Sequence, residues 1–272
     1  MNGELFIVGT PIGNLGDLSP RAAKTLEEVD FIAAEDTRVT LKILNHLGIK
    51  KELVSYFEHN KKEKGAYILE RLLKGESCAL VTDAGMPAIS DPGEDLAALC
   101  HQNAIKINSV PGPTAFATAL ALSGMHTGRF CFEGFLSIKN KERSAHLESL
   151  REETRTIVFY EAPHKLSKTL SDLYQAFGNR EIAIVRELTK IHEEVIRTDL
   201  KTAAEVYADG HLKGEIVLII EGKAPGAPDY TLEDAVEIAR DYMETGYSKN
   251  EAAKLAAKES GIKKGDIYKQ LC

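Results

Sequence analysis

Short runs rich in β-branched and aromatic residues alternate with helix-period segments from the start of the chain to about Gly222, and this alternation constrains the fold more than any other feature. The runs are LFIVG (5–9), FIAAE (31–35), CALVT (78–82), IKINSV (105–110), FCFEGF (130–135), TIVFY (156–160), IAIVRE (182–187), EVIRT (194–198) and EIVLIIE (215–221). Bounded by turn residues, they read as strands. A parallel pair needs a crossover long enough to bring the chain back, and the helical segments of the first half supply it. The expected class is therefore α/β with a largely parallel first sheet. Helix ends are legible too: Ser19 caps a helix opening with Pro20, and Gly48 follows one that begins near Thr37. The later strands have less helix between them, so antiparallel pairing is expected in the second half.

A different pattern follows GKAPGAPDY (222–230), whose prolines and glycines read as a linker. TLEDAVEIARDYMETG (231–246) repeats apolar residues at helical spacing, SKNEAAKLAAKESG (248–261) has Ser248 as cap with Glu251 three residues on, and KKGDIYKQL can form one more short helix. The expected domains are an α/β domain over 1–112, a second α/β domain over 113–224 that completes a cleft, and a small helix-turn-helix-like domain over 229–272.

A hydrophobic content of 43% with 28% charged residues suits a globular protein with a substantial core. No apolar run reaches about 18 residues, and Met1–Thr10 lacks the basic start and long apolar stretch of a signal peptide, so a cytoplasmic protein with no membrane partner is expected. The net charge of −7 argues against a surface that coats nucleic acid as a whole. Locally the balance reverses: after Gly246 stand Lys249, Lys254, Lys258, Lys263, Lys264 and Lys269 against Glu251, Glu259 and Asp266. That stretch is either a solvated helical face or one that meets RNA. Cys78, Cys100, Cys131 and Cys272 form no CxxC pair and the histidines show no ligand spacing, so buried thiols and no metal site are expected.

The unusual polar and glycine-rich stretches fall directly after expected strands: GTPIGNLGD, EDTR, TDAGMP, PGPTA, YEAPH and RELTK. In open α/β sheets ligands bind beyond the carboxyl ends of strands, so these loops are expected to line one cleft shared by the two α/β domains. Taken singly, Gly9, Gly13, Gly85 and Gly112, with Pro11, Pro87, Pro111 and Pro113, serve equally well as plain turn formers. Neither GxGxxG nor GxxxxGK[ST] is present, which disfavours a dinucleotide or a P-loop nucleotide. The carboxylates Glu35, Asp36, Asp83 and Asp91 suit ribose hydroxyls, amines or a cationic ligand better than a triphosphate. In RELTK, Arg186, Glu187 and Lys190 form either a structural ion pair or a substrate contact. His164 and Ser167 make no catalytic triad, since no nucleophile elbow accompanies them.

Together, VGTPIGNLGDLSPRA (8–22), AEDTR (34–38), TDAGMPAISDPG (82–93), VPGPTAFATALALSG (110–124), YEAPHKL (160–166), RELTK (186–190) and KGEIVLIIEG (213–222) closely resemble the ribosomal RNA small subunit methyltransferase I family, a branch of the tetrapyrrole-methylase superfamily. The resemblance spans nearly the whole chain. It implies a two-lobed fold, a homodimer, and S-adenosylmethionine-dependent methylation of a cytidine ribose 2′-hydroxyl in the decoding region of 16S rRNA, with that RNA or the small ribosomal subunit as partner. Carried onto this chain, it implies a cofactor site at Pro11, Asp83, Ala84, Gly85, Ile89, Thr114, Ala115, Tyr160, Arg186, Glu187, Leu188, Gly214 and Glu215. GTPIGN and EDTR would face the substrate. Where tetrapyrrole methylases resemble a GxGPGDP pattern in the first loop and GDP in the third, this chain has GTPIGNLGD and DAGMP, which favours the RNA branch. The alternatives are a tetrapyrrole methyltransferase and a non-catalytic rRNA-binding protein. A ribose hydroxyl needs its proton removed or its forming alkoxide stabilised. Glu35, Asp36, Glu187 and Lys190 are the catalytic candidates by side-chain chemistry, with Arg38 placing a phosphate.

Overall fold

In the computed structural model, which describes residues 2–210, 212–224 and 230–271, alternation becomes architecture. The strands are β1 (Glu4–Val8), β2 (Phe31–Ala34), β3 (Glu52–Ser55), β4 (Cys78–Val81), β5 (Lys106–Val110), β6 (Phe130–Phe135), β7 (Thr156–Glu161), β8 (Glu181–Arg186), β9 (Glu194–Asp199) and β10 (Ile216–Ile220). The helices are α1 (Pro20–Glu28), α2 (Thr37–Leu47), α3 (Lys61–Leu73), α4 (Glu94–Gln102), α5 (Ala115–Ser123), α6 (Asn140–Ser149), α7 (Leu166–Phe177), α8 (Leu200–Val206), α9 (Leu232–Glu244), α10 (Lys249–Ser260) and α11 (Lys264–Gln270). Met1–Gly222 forms one compact unit and Lys223–Cys272 another. Residues 225–229 of the expected linker, and Cys272, lie outside the described residues.

The first sheet is all parallel, in the order β3-β2-β4-β1-β5. Its inner strands β2 and β4 are buried on both faces, as the middle of a parallel sheet between helix layers must be. In β2, Phe31 and Ala33 join the core that contains Ile68, Leu72 and Leu96 of α3 and α4. The alternating residues Ile32 and Ala34 join the core that contains Leu26, Ile43 and Leu44 of α1 and α2. Ser19 caps α1 through a bond from the Ala22 N–H, and Gly48 closes α2 in a left-handed conformation. β3 was not among the expected strands. ELVS is a short edge strand in which only Val54 is buried, so it carries almost no alternation for a sequence reading to find.

The second sheet runs β6-β7-β10-β8-β9. β6 and β7 are parallel, with a bulge at Phe132/Gly134, and β10 is antiparallel to both β7 and β8, which places it between two strands of opposite direction. One face carries Ile157, Phe159, Ile184 and Leu218 toward α7 and α8. The other carries Val158, Val185 and Val217 toward α5, together with Ile12 from the first loop of the chain. Cys78, Cys100 and Cys131 are buried free thiols.

In the second unit α9 and α10 both begin with reciprocal capping boxes, Thr231 with Asp234 and Ser248 with Glu251. Ala235, Ala239, Ala253, Ala256 and Ile267 form its small core. Gly261, left-handed at φ 72°, ends α10 and allows the turn into α11. Among the described residues no helix is long and apolar enough to cross a membrane, and no cluster of His, Cys, Asp and Glu could hold a metal ion.

Candidate active site

Because all strands of the first sheet run the same way, every loop that follows them emerges at one edge. The loop after β1 meets the loop after β4 there: Thr10 and Gly85 exchange both backbone bonds, at 2.9 and 3.1 Å, and the Thr10 hydroxyl donates to the Thr82 carbonyl at 3.1 Å. Gly85 can turn here because its φ is 88°. Gly9 and Gly112 pack backbone to backbone across the β1/β5 boundary, where a Cβ on Gly112 would lie 2.8 Å from the Gly9 carbonyl oxygen.

A cavity of about 380 Å³ opens at this edge. All six strand-end loops singled out in the sequence contribute to it: Ile12, Glu35, Asp83–Met86, Thr114 with Ala115, Tyr160–Pro163, and Leu188. The second sheet adds Phe135 from the end of β6 and Glu215–Val217 from the start of β10, whose reversed direction brings its amino end to the same edge. The volume lies in the range of small-molecule sites.

The wall from the first sheet is acidic. Glu35 accepts a hydrogen bond from the Thr82 hydroxyl at 2.5 Å, and Asp83 accepts one from the Asp36 N–H at 3.0 Å. Burial pushes the Asp83 carboxyl up, and pushes Asp91 further, to about 6, with the neighbouring Glu35 charge adding to it. Asp36 is different: hydrogen bonds from Arg38 hold its carboxyl down at about 2, which makes it a weak base. Its carboxylate pairs with the Arg38 guanidinium at 2.5 Å and caps α2 by accepting from the Arg38 backbone N–H at 2.8 Å. The loop that carries Asp91 is tightly wound, with Ala88 and Ser90 both at positive φ (67° and 66°).

The wall from the second sheet is aromatic and apolar around Tyr160, with the carboxylates Glu161 and Glu215 at its margin. Tyr160 packs against Phe132 and Phe135, with ring centroids 4.9 and 5.5 Å away, and its hydroxyl accepts from the Phe116 N–H at 3.2 Å. Burial raises the pKa of its phenol. Glu161, 5% exposed, accepts from the Thr169 hydroxyl, which in turn accepts from Arg143 at 2.7 Å. Arg143 also binds Asp172 at 2.6 Å, so this buried carboxylate is tied to α6 and α7.

Of the expected site residues, Glu35, Asp83, Ala84, Gly85, Ile89, Thr114, Ala115, Tyr160, Leu188 and Glu215 line the cavity. Pro11, Asp36, Arg38, Arg186, Glu187, Lys190 and Gly214 do not. Pro11 is buried beside Ile12, and Arg186 is engaged by Glu194 at 2.7 Å and the Lys213 carbonyl at 3.0 Å. Glu187 accepts from Lys190 and from the Glu215 N–H, both at 3.0 Å, and Lys190 also reaches Glu215 at 3.0 Å. Burial opposes the Lys190 charge, but the hydrogen bonds to the two glutamates outweigh it and raise its pKa. Gly214, at φ 96°, is where a Cβ would strike the Glu187 side chain at 2.4 Å. These residues therefore clamp the rim formed by the β8 loop and the start of β10. Phe135, Glu161 and Asp91 line the cavity without having been assigned to it. Asp91 carried a signal as one of the clustered carboxylates, and Glu161 carried one as part of the YEAPH stretch expected to line the cleft; Phe135 sits inside an expected strand, where residue type alone gives none.

Parallel and mixed sheets sharing one strand-end cavity place the chain in a known class: residues 4–204 match the family of tetrapyrrole (corrin/porphyrin) methylases. The fold agrees with a solved uroporphyrin-III C-methyl transferase from Thermus thermophilus complexed with S-adenosyl homocysteine, at a TM-score of 0.57 and 17% identity over 80% of this chain and 97% of that one. Closer relatives narrow the class. The chain is 44% identical over 98% of its length to a ribosomal RNA small subunit methyltransferase I from Synechocystis, covering 96% of that protein. A protein of the same name from Thermotoga maritima is 47% identical over 221 residues, 81% of this chain and 99% of its own. The chain belongs to the ribosomal RNA small subunit methyltransferase I family.

Proposed function

We propose that the protein transfers a methyl group from S-adenosylmethionine to the 2′-hydroxyl of a cytidine in the decoding region of 16S rRNA. The observation that carries this reading is the two-sided cavity, acidic on one wall and aromatic on the other, in a chain of this family. S-adenosylmethionine supplies a methyl group activated on a cationic sulfonium, beside an ammonium and a flat adenine. Glu35, Asp83 and Asp91 complement the positive charges, and Tyr160, Phe135, Leu188 and Val217 give the adenosine an apolar bed. Gly85 has its own amide committed to Thr10, so its part is to hold the turn.

On the substrate side, the chain must align a ribose oxygen and take up its proton. Glu35 lines the cavity itself, whereas the Asp36–Arg38 pair sits at its rim, where the exposed guanidinium can hold a phosphate. Asp91, held at about 6, is matched to accept a proton near neutral pH, and it joins Glu35 as the candidate base. Lys190, Glu187 and Glu215 support the opposite rim. The basic α10–α11 segment is assigned the grip on RNA backbone. Lys254, Lys258, Lys263, Lys264 and Lys269 are all exposed there. A homodimer working in the cytoplasm, on RNA or on the assembled small subunit, completes the proposal.

The test uses methyl-labelled S-adenosylmethionine with small ribosomal subunits from cells lacking their own copy of the enzyme. Label on a cytidine ribose, found by nuclease digestion and mass analysis, is the expected result. Absence of label from both subunits and free 16S rRNA, despite tight cofactor binding, would overturn it and bring forward a tetrapyrrole substrate or a binding role.

A further inference from the structure

We propose that the loop after β3 is a stacking platform for an unpaired base of the RNA substrate, beside the nucleotide presented to the cavity; this deepens the rRNA reading and rests on it. β3 forms the edge of the parallel sheet next to β2, with Ser55 paired to Ala34. Phe57 thus stands two residues beyond β3 as Asp36 stands two beyond β2, on neighbouring strands that lie about 5 Å apart where they pair. The Tyr56 N–H donates to the Ala34 carbonyl at 2.8 Å, which ties the two loops together.

Scattered exposed aromatics are ordinary on protein surfaces. What sets Phe57 apart is how it is held. The preceding ring, Tyr56, is 1% exposed and sits in the core, while Phe57 is 37% exposed. Asn60 closes the turn from three sides: its side chain accepts from the Phe57 N–H at 2.8 Å and donates to the Ser55 carbonyl at 3.1 Å, and its N–H donates to the Phe57 carbonyl at 3.0 Å. A backbone fixed in this way leaves only the ring's own rotation to be ordered on binding. A second exposed ring, His59, stands edge-on at 6.3 Å.

Charge completes the constellation. Lys61 is tied to Glu58 at 2.9 Å and Asp95 at 2.8 Å, but Lys62 is exposed and makes no ion pair among the described residues. On the neighbouring loop the guanidinium of Arg38 is paired with Asp36 but largely exposed, so Lys62 is the unpaired positive charge offered to a phosphate beside a stacked base and Arg38 a second, shared one. Flat π-faces flanked by cations are what single-stranded RNA binds, because every base has a face to stack and every nucleotide a phosphate to pair.

The experiment measures binding of the full chain, saturated with S-adenosyl homocysteine, to protein-free 16S rRNA and to small subunits, for wild type and the variants Phe57→Ala, Phe57→Leu, Phe57→Tyr and Lys62→Ala. Phe57→Ala and Phe57→Leu are expected to bind RNA about 5- to 100-fold more weakly, while Phe57→Tyr stays near wild type. Lys62→Ala is expected to flatten the salt dependence by roughly one phosphate contact. Affinity for S-adenosyl homocysteine, expected to be unchanged, reports that each variant is folded. Wild-type binding by Phe57→Ala, or by Phe57→Leu, would overturn stacking. A loss seen with subunits but not with protein-free RNA would also overturn it, assigning the ring to a ribosomal protein. Transfer of methyl label by wild type is read in parallel, so failure of the methylation reading is seen separately from failure of the platform.

Discussion

The two sheets contribute opposite chemistry to one cavity. The parallel sheet supplies Glu35, Thr82, Asp83 and Asp91, all from loops that leave its strands at the same edge. The mixed sheet supplies the aromatic and apolar residues Phe135, Tyr160, Leu188 and Val217, from three carboxyl ends and one amino end, with Glu161 and Glu215 beside them. A parallel sheet gathers loops at one edge, and loops accept charged side chains readily because water and free backbone groups surround them. The mixed sheet reaches the cavity with residues still inside or just beyond its strands, and Tyr160 and Val217 among them are shared with the core those strands build, while Glu161 and Glu215 add two carboxylates at the same edge.

The largest test of this arrangement strikes the backbone contact that lets the β1 and β5 loops converge. Gly112→Val would drive a side chain into the Gly9 backbone, and it is expected to lower stability by about 3 kcal/mol and abolish cofactor binding, as read by chemical denaturation and calorimetry. Normal binding by this variant would show that the loops need not meet closely.

The division into walls is tested next by comparing a cationic with a neutral ligand. Glu35→Gln and Asp91→Asn are expected to weaken S-adenosylmethionine roughly tenfold while changing S-adenosyl homocysteine much less, because the product lacks the sulfonium charge. Tyr160→Ala should weaken both ligands alike, by a similar factor. Equal responses to both ligands in the acidic variants would collapse the distinction.

A smaller effect is pH-dependent. Since burial raises the Asp91 carboxyl to about 6 from the ordinary value near 4, the folded state disfavours its charge. The associated stability is full below about pH 4 and is lost as pH rises through 6. Asp91→Asn should therefore raise thermal stability above pH 6, by roughly 1 kcal/mol after solvent screening, and leave it unchanged below pH 4. A gain of the same size at both ends would point to packing instead of charge.

The smallest stability change is expected at the rim. Lys190→Ala removes two bonds from a part-exposed side chain and should cost less than about 1 kcal/mol, with cofactor affinity kept and turnover reduced. Unaltered turnover would confine Lys190 to surface pairing.

Composition and pattern disclosed the α/β class because burying both faces of a parallel strand demands continuous apolar runs, and the chain writes them plainly at 31–34 and 78–81. Local chemistry likewise exposed the Ser19 and Ser248 caps and the ends of α2 and α10, since those bonds join residues a few positions apart. The six strand-end loops were legible for the same reason: glycine, proline and carboxylate at the end of an apolar run are out of place in a core.

β3 escaped notice because an edge strand with one buried residue has no period, and the turn at Phe57 escaped with it. Glu187 and Lys190 looked catalytic as residue types, yet their partners Gly214 and Glu215 lie more than twenty positions away, and only the pairing of β8 with β10 shows that they clamp a rim. The states of Asp36 and Asp91 differ in how far the sequence could reach them. Both are aspartates after strands of one sheet, but an arginine two residues away settles the first, and burial beside a distant glutamate settles the second. The sequence determined which elements form and which loops carry unusual chemistry, because those follow from neighbours along the chain. Which carboxylates face the cavity, and in what charge state, was decided by tertiary structure, because desolvation and Coulomb forces depend on distance in space.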